Sequence, residues 1–285
     1  MSLLCRLIKP AGSQTLLRLI LASVIEFIDP TARHLQAWQT LSMPSPRSGP
    51  TRKLPYDPAE ATAALAAADP RLAKLIAKAG PFTLRLPAQQ SPFEALLQSI
   101  IYQQLHGKAA AAIHARLLAS FAEIAGDGIH PEPHHLLDAP NEQLRAAGLS
   151  HNKALALRDL AAKTIDGTVP TLARIRRMSD EAIIEHLTQV RGIGRWTVEM
   201  MLMFRLGRPD ILPVSDYGVR KGFALTFQGL KPETKVTPAL LASPAEMEKR
   251  GKKWAPWRSV ASWYMWRACD LAAIKPSQPD KALSP

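Results

Sequence analysis

The sequence predicts an all-α protein. Three observations carry that reading. Alanine and leucine abound within a 47% hydrophobic composition, while strand-type runs are scarce. Segments with apolar residues at helical spacing follow one another from residue 56 onward, several opened by recognisable cap residues. No internal repeat and no alternation of strand and helix patterns suggests a parallel sheet. The 285 residues are ample for a substantial core.

Taken in order, residues 1–52 differ from the rest. Six basic residues stand there against two acidic ones, and the stretch M-P-S-P-R-S-G-P-T-R-K at 43–53 has the composition of a disordered linker. Residues 1–54 are therefore expected to be a weakly structured basic extension, with translation beginning at Met43. The run at 16–28 is broken by Arg18 and Glu26, too short and too charged for the roughly 20 apolar residues that span a bilayer. Two helices split by Pro70 then end at Gly80, and F-T-L-R-L at 82–86 alternates like a short strand.

A helix over 91–105 has the clearest start. Ser91 is the N-cap, Pro92 takes the first helical position and Glu94 completes a capping box. Phe93, Leu96, Leu97, Ile100 and Ile101 then share one face. Helices at 108–121, 141–149, 151–164 and 179–189 follow, the last capped by Ser179, with a Pro/His-rich loop at 130–135. His130, His134 and His135 in that loop read as exposed, since metal ligands need defined geometry. A domain over 55–275 and a tail over 276–285 complete the organisation.

The charge bounds the partner. Thirty-six Lys+Arg against 24 Asp+Glu leave +12, which favours a polyanion. Cys5 and Cys269 alone argue for a reducing compartment and against a disulfide framework, a zinc site or a four-cysteine cluster.

The stretch V-R-G-I-G-R-W-T-V-E-M-M at 190–201 is the most informative. One amphipathic helix precedes it, with Ile184, Leu187 and Val190 on one side, and a second begins at once. R-G-I-G between them is too short for anything but a tight hairpin. Gly192 is expected at positive φ, Ile193 tucked inward, and Gly194 sparing a side chain where the second helix exposes its N–H groups. Those groups suit an anion such as a phosphodiester oxygen. A plain turn with a glycine C-cap is the bland alternative. Asp216 follows 22 residues past Gly194, in L-P-V-S-D-Y-G-V-R-K-G-F. Alone it reads as an N-cap. A helix of about 16 Å and a returning loop would also bring it back beside a bound phosphate.

The hairpin resembles the helix–hairpin–helix family of DNA-binding proteins. With L-P-V-S-D about twenty residues on, the sequence resembles the HhH-GPD superfamily of base-excision DNA glycosylases. L-L-Q-S-I-I-Y-Q-Q-L-H-G-K-A-A-A-A-I, L-R-A-A-G-L-S-H-N-K-A-L-A-L-R-D-L-A and the tryptophan-rich W-A-P-W-R-S-V-A-S-W-Y-M-W-R at 254–267 match that superfamily as well, the last its alkylation-repair branch of DNA-3-methyladenine glycosylase II type. The likeness covers about residues 55–270.

The resemblance implies two helical subdomains flanking a cleft, and a monomer that flips and excises alkylated bases (3-methyladenine, 7-methylguanine) from double-stranded DNA in the cytoplasm of a bacterial-type cell. It implies Asp216 as the catalytic residue. Trp196 and Trp266 become stacking walls of a base pocket that Tyr217 borders and Gln103 and Met200 complete, Met200 standing where an aromatic is usual. Gln104 becomes the side chain that fills the gap left by the flipped base. Gly192, Ile193 and Gly194 become DNA contacts. Apart from the resemblance, Arg195, Lys221, Lys108 and Arg220 read by their charge as candidate phosphate contacts, with simple surface charge the alternative. No cofactor is required, and a sodium or potassium ion is accommodated on the carbonyls of Thr188, Val190 and Ile193.

The chemistry stands beside that likeness. Alkylation at purine N3 or N7 makes the base cationic, so its glycosidic bond is already weak. An enzyme then needs the nucleotide out of the stack, an electron-rich pocket and a carboxylate for the oxocarbenium-like sugar. Cation–π attraction would contribute ~1–2 kcal/mol in a dry site. Members that also cut the backbone place a lysine where this chain has Trp196, so a monofunctional enzyme is expected. Trp254, Trp257 and Trp263 read instead as core. A non-catalytic DNA-binding module, or a glycosylase for hypoxanthine, ethenoadenine or uracil, are the rivals.

Overall fold

The computed structural model describes residues 51–88, 90–124 and 130–273. The expectations for residues 1–42, including a start at Met43, and for the tail at 276–285 lie outside them. The described residues are mostly helical, as the composition predicts, with a single pair of two-residue strands.

Helices α1 (Pro58–Ala68) and α2 (Pro70–Ala79) are divided at Asp69 and Pro70. Asp69 ends one helix and caps the next, its carboxylate accepting the Arg71 N–H at 3.2 Å. The predicted strand at 82–86 shrinks to Leu86–Pro87, paired antiparallel with Thr51–Arg52. The end of the expected linker is thus part of the fold.

Helix α3 (Pro92–Tyr102) starts with the reciprocal Ser91–Glu94 capping box that its sequence announces. Then come α4 (Gly107–Ala119), α5 (Pro133–Asp138), α6 (Asn141–Ala146) and α7 (His151–Ile165). The Pro/His loop is only partly a loop. Pro133 opens α5, and His135 accepts the Glu132 N–H through Nδ1, so His134 and His135 belong to a capped helix start while His130 stacks on His114. Of the three only His134 is exposed, because the other two pack against neighbouring rings. The short α8 (Leu172–Ile175) leads to α9 (Asp180–Leu187), capped by Ser179. Helix α10 (Arg195–Met201) continues as a π-helical turn through Leu202–Leu206. Helices α11 (Tyr217–Phe227), α12 (Pro244–Gly251) and α13 (Arg258–Ala273) close the order.

Two groups of helices emerge. Helix α7 packs against α3, α5 and α6, while α13 packs against α11, α2 and α1. One continuous hydrophobic core runs through both. The second group is the tighter. On α11, Gly218 and Gly222 lie one turn apart and face α13. A Cβ on Gly222 would sit 1.9 Å from the Met265 carbonyl oxygen, so only glycine admits the α13 backbone at that distance. Trp254 and Trp263 are buried and Trp257 is half-buried against the core, the packing role expected of them.

Candidate active site

The corner between α9 and α10 has the expected shape. Gly192 adopts φ 78° and Gly194 is extended. Both glycines are exposed, while Ile193 between them is 4% exposed and packs into the core with Leu187 and Val190. A Cβ on Gly194 would meet nothing within 4 Å. Nothing inside the protein requires glycine there. The Val190 carbonyl accepts the Ile193 N–H at 3.0 Å, closing the turn.

Helix α7 braces this corner from behind. Asp159 accepts the Arg191 N–H at 2.6 Å, and Lys163 donates both to Asp159 and to the Gln189 carbonyl. A second brace comes from the turn between α3 and α4. Gln103 donates its side-chain amide to the Gly192 carbonyl at 2.9 Å, and Lys153 holds the same turn by donating to the carbonyls of Ile101 and Gln103. Gln103 was expected in a base pocket. Its amide instead bridges the α3–α4 turn to the hairpin by donating to the Gly192 carbonyl. Beside it Gln104 is exposed at φ 58°, the one non-glycine at positive φ among the described residues. Such strain concentrates at functional positions.

Asp216 lies at the N-cap of α11, where Oδ1 accepts the Val219 N–H at 2.8 Å. The plain reading of this residue is therefore correct. It is also incomplete. Trp196 donates its indole N–H to Oδ2 and Trp266 donates to Oδ1, each at 2.8 Å. Asp216 is 1% exposed, yet all three of these donors are neutral, so its negative charge is not cancelled by a cation among them. Since Trp196 is the second residue of the helix that follows Gly194, a single tryptophan side chain separates the acid from the hairpin corner.

The return loop explains this placement. Arg258 forms a bidentate pair with Asp210, at 2.6 and 2.8 Å. Ser259 donates to the Arg208 carbonyl and accepts the Ile211 N–H, so the start of α13 fastens the loop just before Asp216. Gly218 does the rest. A Cβ there would stand 2.5 and 2.7 Å from Cδ1 and Nε1 of Trp266, in the space through which that indole reaches Asp216.

Several expected site residues stand differently. Trp266 is 2% exposed rather than a half-open wall, and both indoles turn their N–H edges onto Asp216 instead of forming an open stacking pair. A buried carboxylate needs donors, and these are the nearest. Met200 is buried in the core, and Tyr217 is half-buried next to the acid. Arg195 is engaged by carboxylates: it pairs with Glu181 at 2.6 Å and Glu199 at 3.1 Å. Arg220 donates to the Ala242 carbonyl. Lys221 is partly exposed on α11, and Lys108 exposed at the start of α4, where His106 caps through Nδ1. The described residues contain no cluster of three or more His, Cys, Asp or Glu side chains able to hold a metal, and no helix among them is long and apolar enough to cross a membrane.

Sequence reasoning overlooked Glu199. It is 4% exposed on α10, and its Oε2 has no hydrogen-bond partner. Burial pushes its carboxyl up to about 7; Arg195 opposes this, and the nearby Asp216 adds to it. The only signal was an acid at the i+4 position from Arg195, which reads equally well as a surface pair.

The comparisons with known proteins give the family. Residues 97–247 match the model of the HhH-GPD superfamily, described as base excision DNA repair proteins. The chain belongs to the HhH-GPD superfamily. Within it, the chain is 38% identical over 212 residues to DNA-3-methyladenine glycosylase 1 of Schizosaccharomyces pombe, covering 74% of this chain and 86% of that one. It is 27% identical over 187 residues to DNA-3-methyladenine glycosylase 2 of Escherichia coli, covering 64% and 60%. A structure of the S. pombe 3-methyladenine DNA glycosylase in complex with abasic DNA superimposes with TM-score 0.62 at 34% identity, covering 76% of this chain and all of that one. The HhH-GPD match spans the hairpin, Trp196 and Asp216, and ends before Trp266.

Proposed function

We propose that this HhH-GPD protein is a monofunctional DNA glycosylase of the DNA-3-methyladenine type, which hydrolyses the N-glycosidic bond of alkylated bases in duplex DNA during base excision repair. The observation that carries the reading is the bond between Trp196 and Asp216, which ties the acid to the hairpin corner. The relatives named for 3-methyladenine release support the substrate class.

In this reading the backbone N–H groups at Gly194 and Arg195 take one phosphate, drawn by the +12 field. Gln104, already held in a strained conformation, enters the gap as the damaged nucleotide turns out of the stack. Trp196, the more exposed of the two indoles, moves off Oδ2 so that the sugar reaches the carboxylate. Asp216 then faces the anomeric carbon with its charge uncancelled and stabilises the oxocarbenium-like sugar. It also orients the attacking water. Trp266 and the Val219 N–H stay on Oδ1 and fix the orientation of the acid. The electron-rich faces of Trp196 and Tyr217 favour a cationic base over a neutral one. Trp196 in place of a Schiff-base lysine leaves no amine to cut the backbone. The protein acts as a monomer without a required cofactor, in a reducing cytoplasm, with a monovalent cation admitted at the carbonyls of Thr188, Val190 and Ile193.

The test is a panel of duplexes carrying 3-methyladenine, 7-methylguanine, ethenoadenine, hypoxanthine or uracil, scored for abasic sites. Release of the two alkylated purines ahead of the neutral bases is expected. Binding to all five with no abasic sites would favour a DNA-binding module.

A further inference from the structure

At the far end of α10 from the hairpin lies a cavity of about 400 Å³. Arg52, Arg176, Arg205 and Arg208 line it, with no carboxylate among its lining residues. None of Asp216, Trp196, Tyr217 or Trp266 contributes to it, and roughly 10 Å of helix, the length of α10, separates it from the hairpin.

Three of the four guanidiniums have described partners of different kinds. Arg208 is paired with Asp180 at 3.2 Å and donates to the carbonyls of Ile175 and Met178. Arg205 donates to Gln98 at 2.7 Å, a neutral partner. Arg52 donates to the Arg205 carbonyl, and its Nε is buried without a partner. Burial and the neighbouring Arg176 both lower the Arg52 guanidinium from its usual value. Gln90, on the same wall, presents a buried Oε1 that accepts no hydrogen bond. Between these polar groups the wall is apolar, from Leu172, Met201 and Leu206.

We propose that this cavity binds a phosphate monoester of nucleotide size. Guanidinium groups match phosphate oxygens in fork geometry, and an anion supplies the acceptor that Arg52 Nε lacks. The orphaned Gln90 oxygen calls for a donor on the same ligand, such as a sugar hydroxyl or an exocyclic amine, which free phosphate does not offer beyond its own proton. The apolar wall suits a flat ring, and the volume falls within the range of small-molecule sites, roughly 300–1,000 Å³.

Titration calorimetry of the full chain with AMP, adenosine and inorganic phosphate, at ionic strength held constant with sodium chloride, tests this. Saturable binding of AMP is expected, weaker saturable binding of phosphate, and none of adenosine. Arg176→Gln, an exposed position, and Arg52→Gln should each weaken AMP by at least about tenfold. Both variants should retain duplex DNA binding, which separates this cavity from the hairpin. AMP binding that survives both substitutions, or no saturable binding of AMP at millimolar concentration, overturns the proposal.

Discussion

Trp266 reaches Asp216 through the space left by Gly218: its indole N–H meets Oδ1 at 2.8 Å, where a Cβ on Gly218 would stand 2.7 Å from the same nitrogen. Helix packing and the orientation of the acid are therefore one arrangement. Gly218→Ala should push the indole aside, costing about 1–3 kcal/mol of stability by overpacking. Base release should fall more than the loss of folded protein explains. Denaturant unfolding and single-turnover rates on the same preparations separate the two effects. Gly222→Ala, which meets backbone rather than a side chain, should be the more destabilising.

Gln104 offers a trade between stability and activity. Its φ of 58° costs a non-glycine residue roughly 1–2 kcal/mol, against a smaller entropic penalty for glycine in the unfolded chain. Gln104→Gly should leave the melting temperature unchanged or higher while slowing base release from duplex DNA. Equal activity would remove this side chain from the flipping step.

Glu199 gives stability a pH dependence of known sign. Its folded-state value of about 7 lies above the ordinary 4.5, so the folded chain holds the proton more tightly. The associated stability is intact below about pH 4.5 and is lost as pH rises towards 7, on the order of 2–3 kcal/mol. Glu199→Gln should flatten that fall. Urea midpoints at pH 5 and pH 8 measure it, and an unchanged slope would assign the dependence elsewhere.

Asp69 works in the opposite sense. It is fully buried, and burial alone would raise it, but hydrogen bonds from Arg250, Lys253 and Trp254 outweigh this and hold it at about 2. Its contribution is present above the ordinary value near 3.8 and lost as pH falls through 2. Asp69→Ala removes the α2 cap and strands partly exposed cations, for an expected loss of about 2–4 kcal/mol in denaturant unfolding. A loss below about 1 kcal/mol would show that the cations rehydrate freely.

Much of this was legible in the chain. The Ser91 capping box, Ser179 and the hairpin glycines act through neighbours a few residues away, so local pattern suffices. What escaped is carried by long-range partners. Gln103 reads as a pocket residue until the Gly192 carbonyl, 89 residues on, is seen to claim it. The value of Ser259 lies in Arg208 and Ile211, and that of Asp159 in the backbone of Arg191. The histidines at 134 and 135 misled because their clustering suggested a loop, while Pro133 at a helix start was the better signal. Composition, finally, pairs Arg195 with DNA as readily as with Glu181 and Glu199, which hold it in the free protein.

The most direct measurement is base release by Asp216→Asn on DNA carrying 7-methylguanine, alongside binding to the same duplex. The amide keeps the shape, but its single oxygen can accept at only one of the two indole-facing positions, and it lacks the charge. A loss of roughly a thousandfold in the single-turnover rate, with binding unchanged or tighter, is the predicted result. A variant that binds and excises like the parent would contradict the assignment of this carboxylate to the reaction.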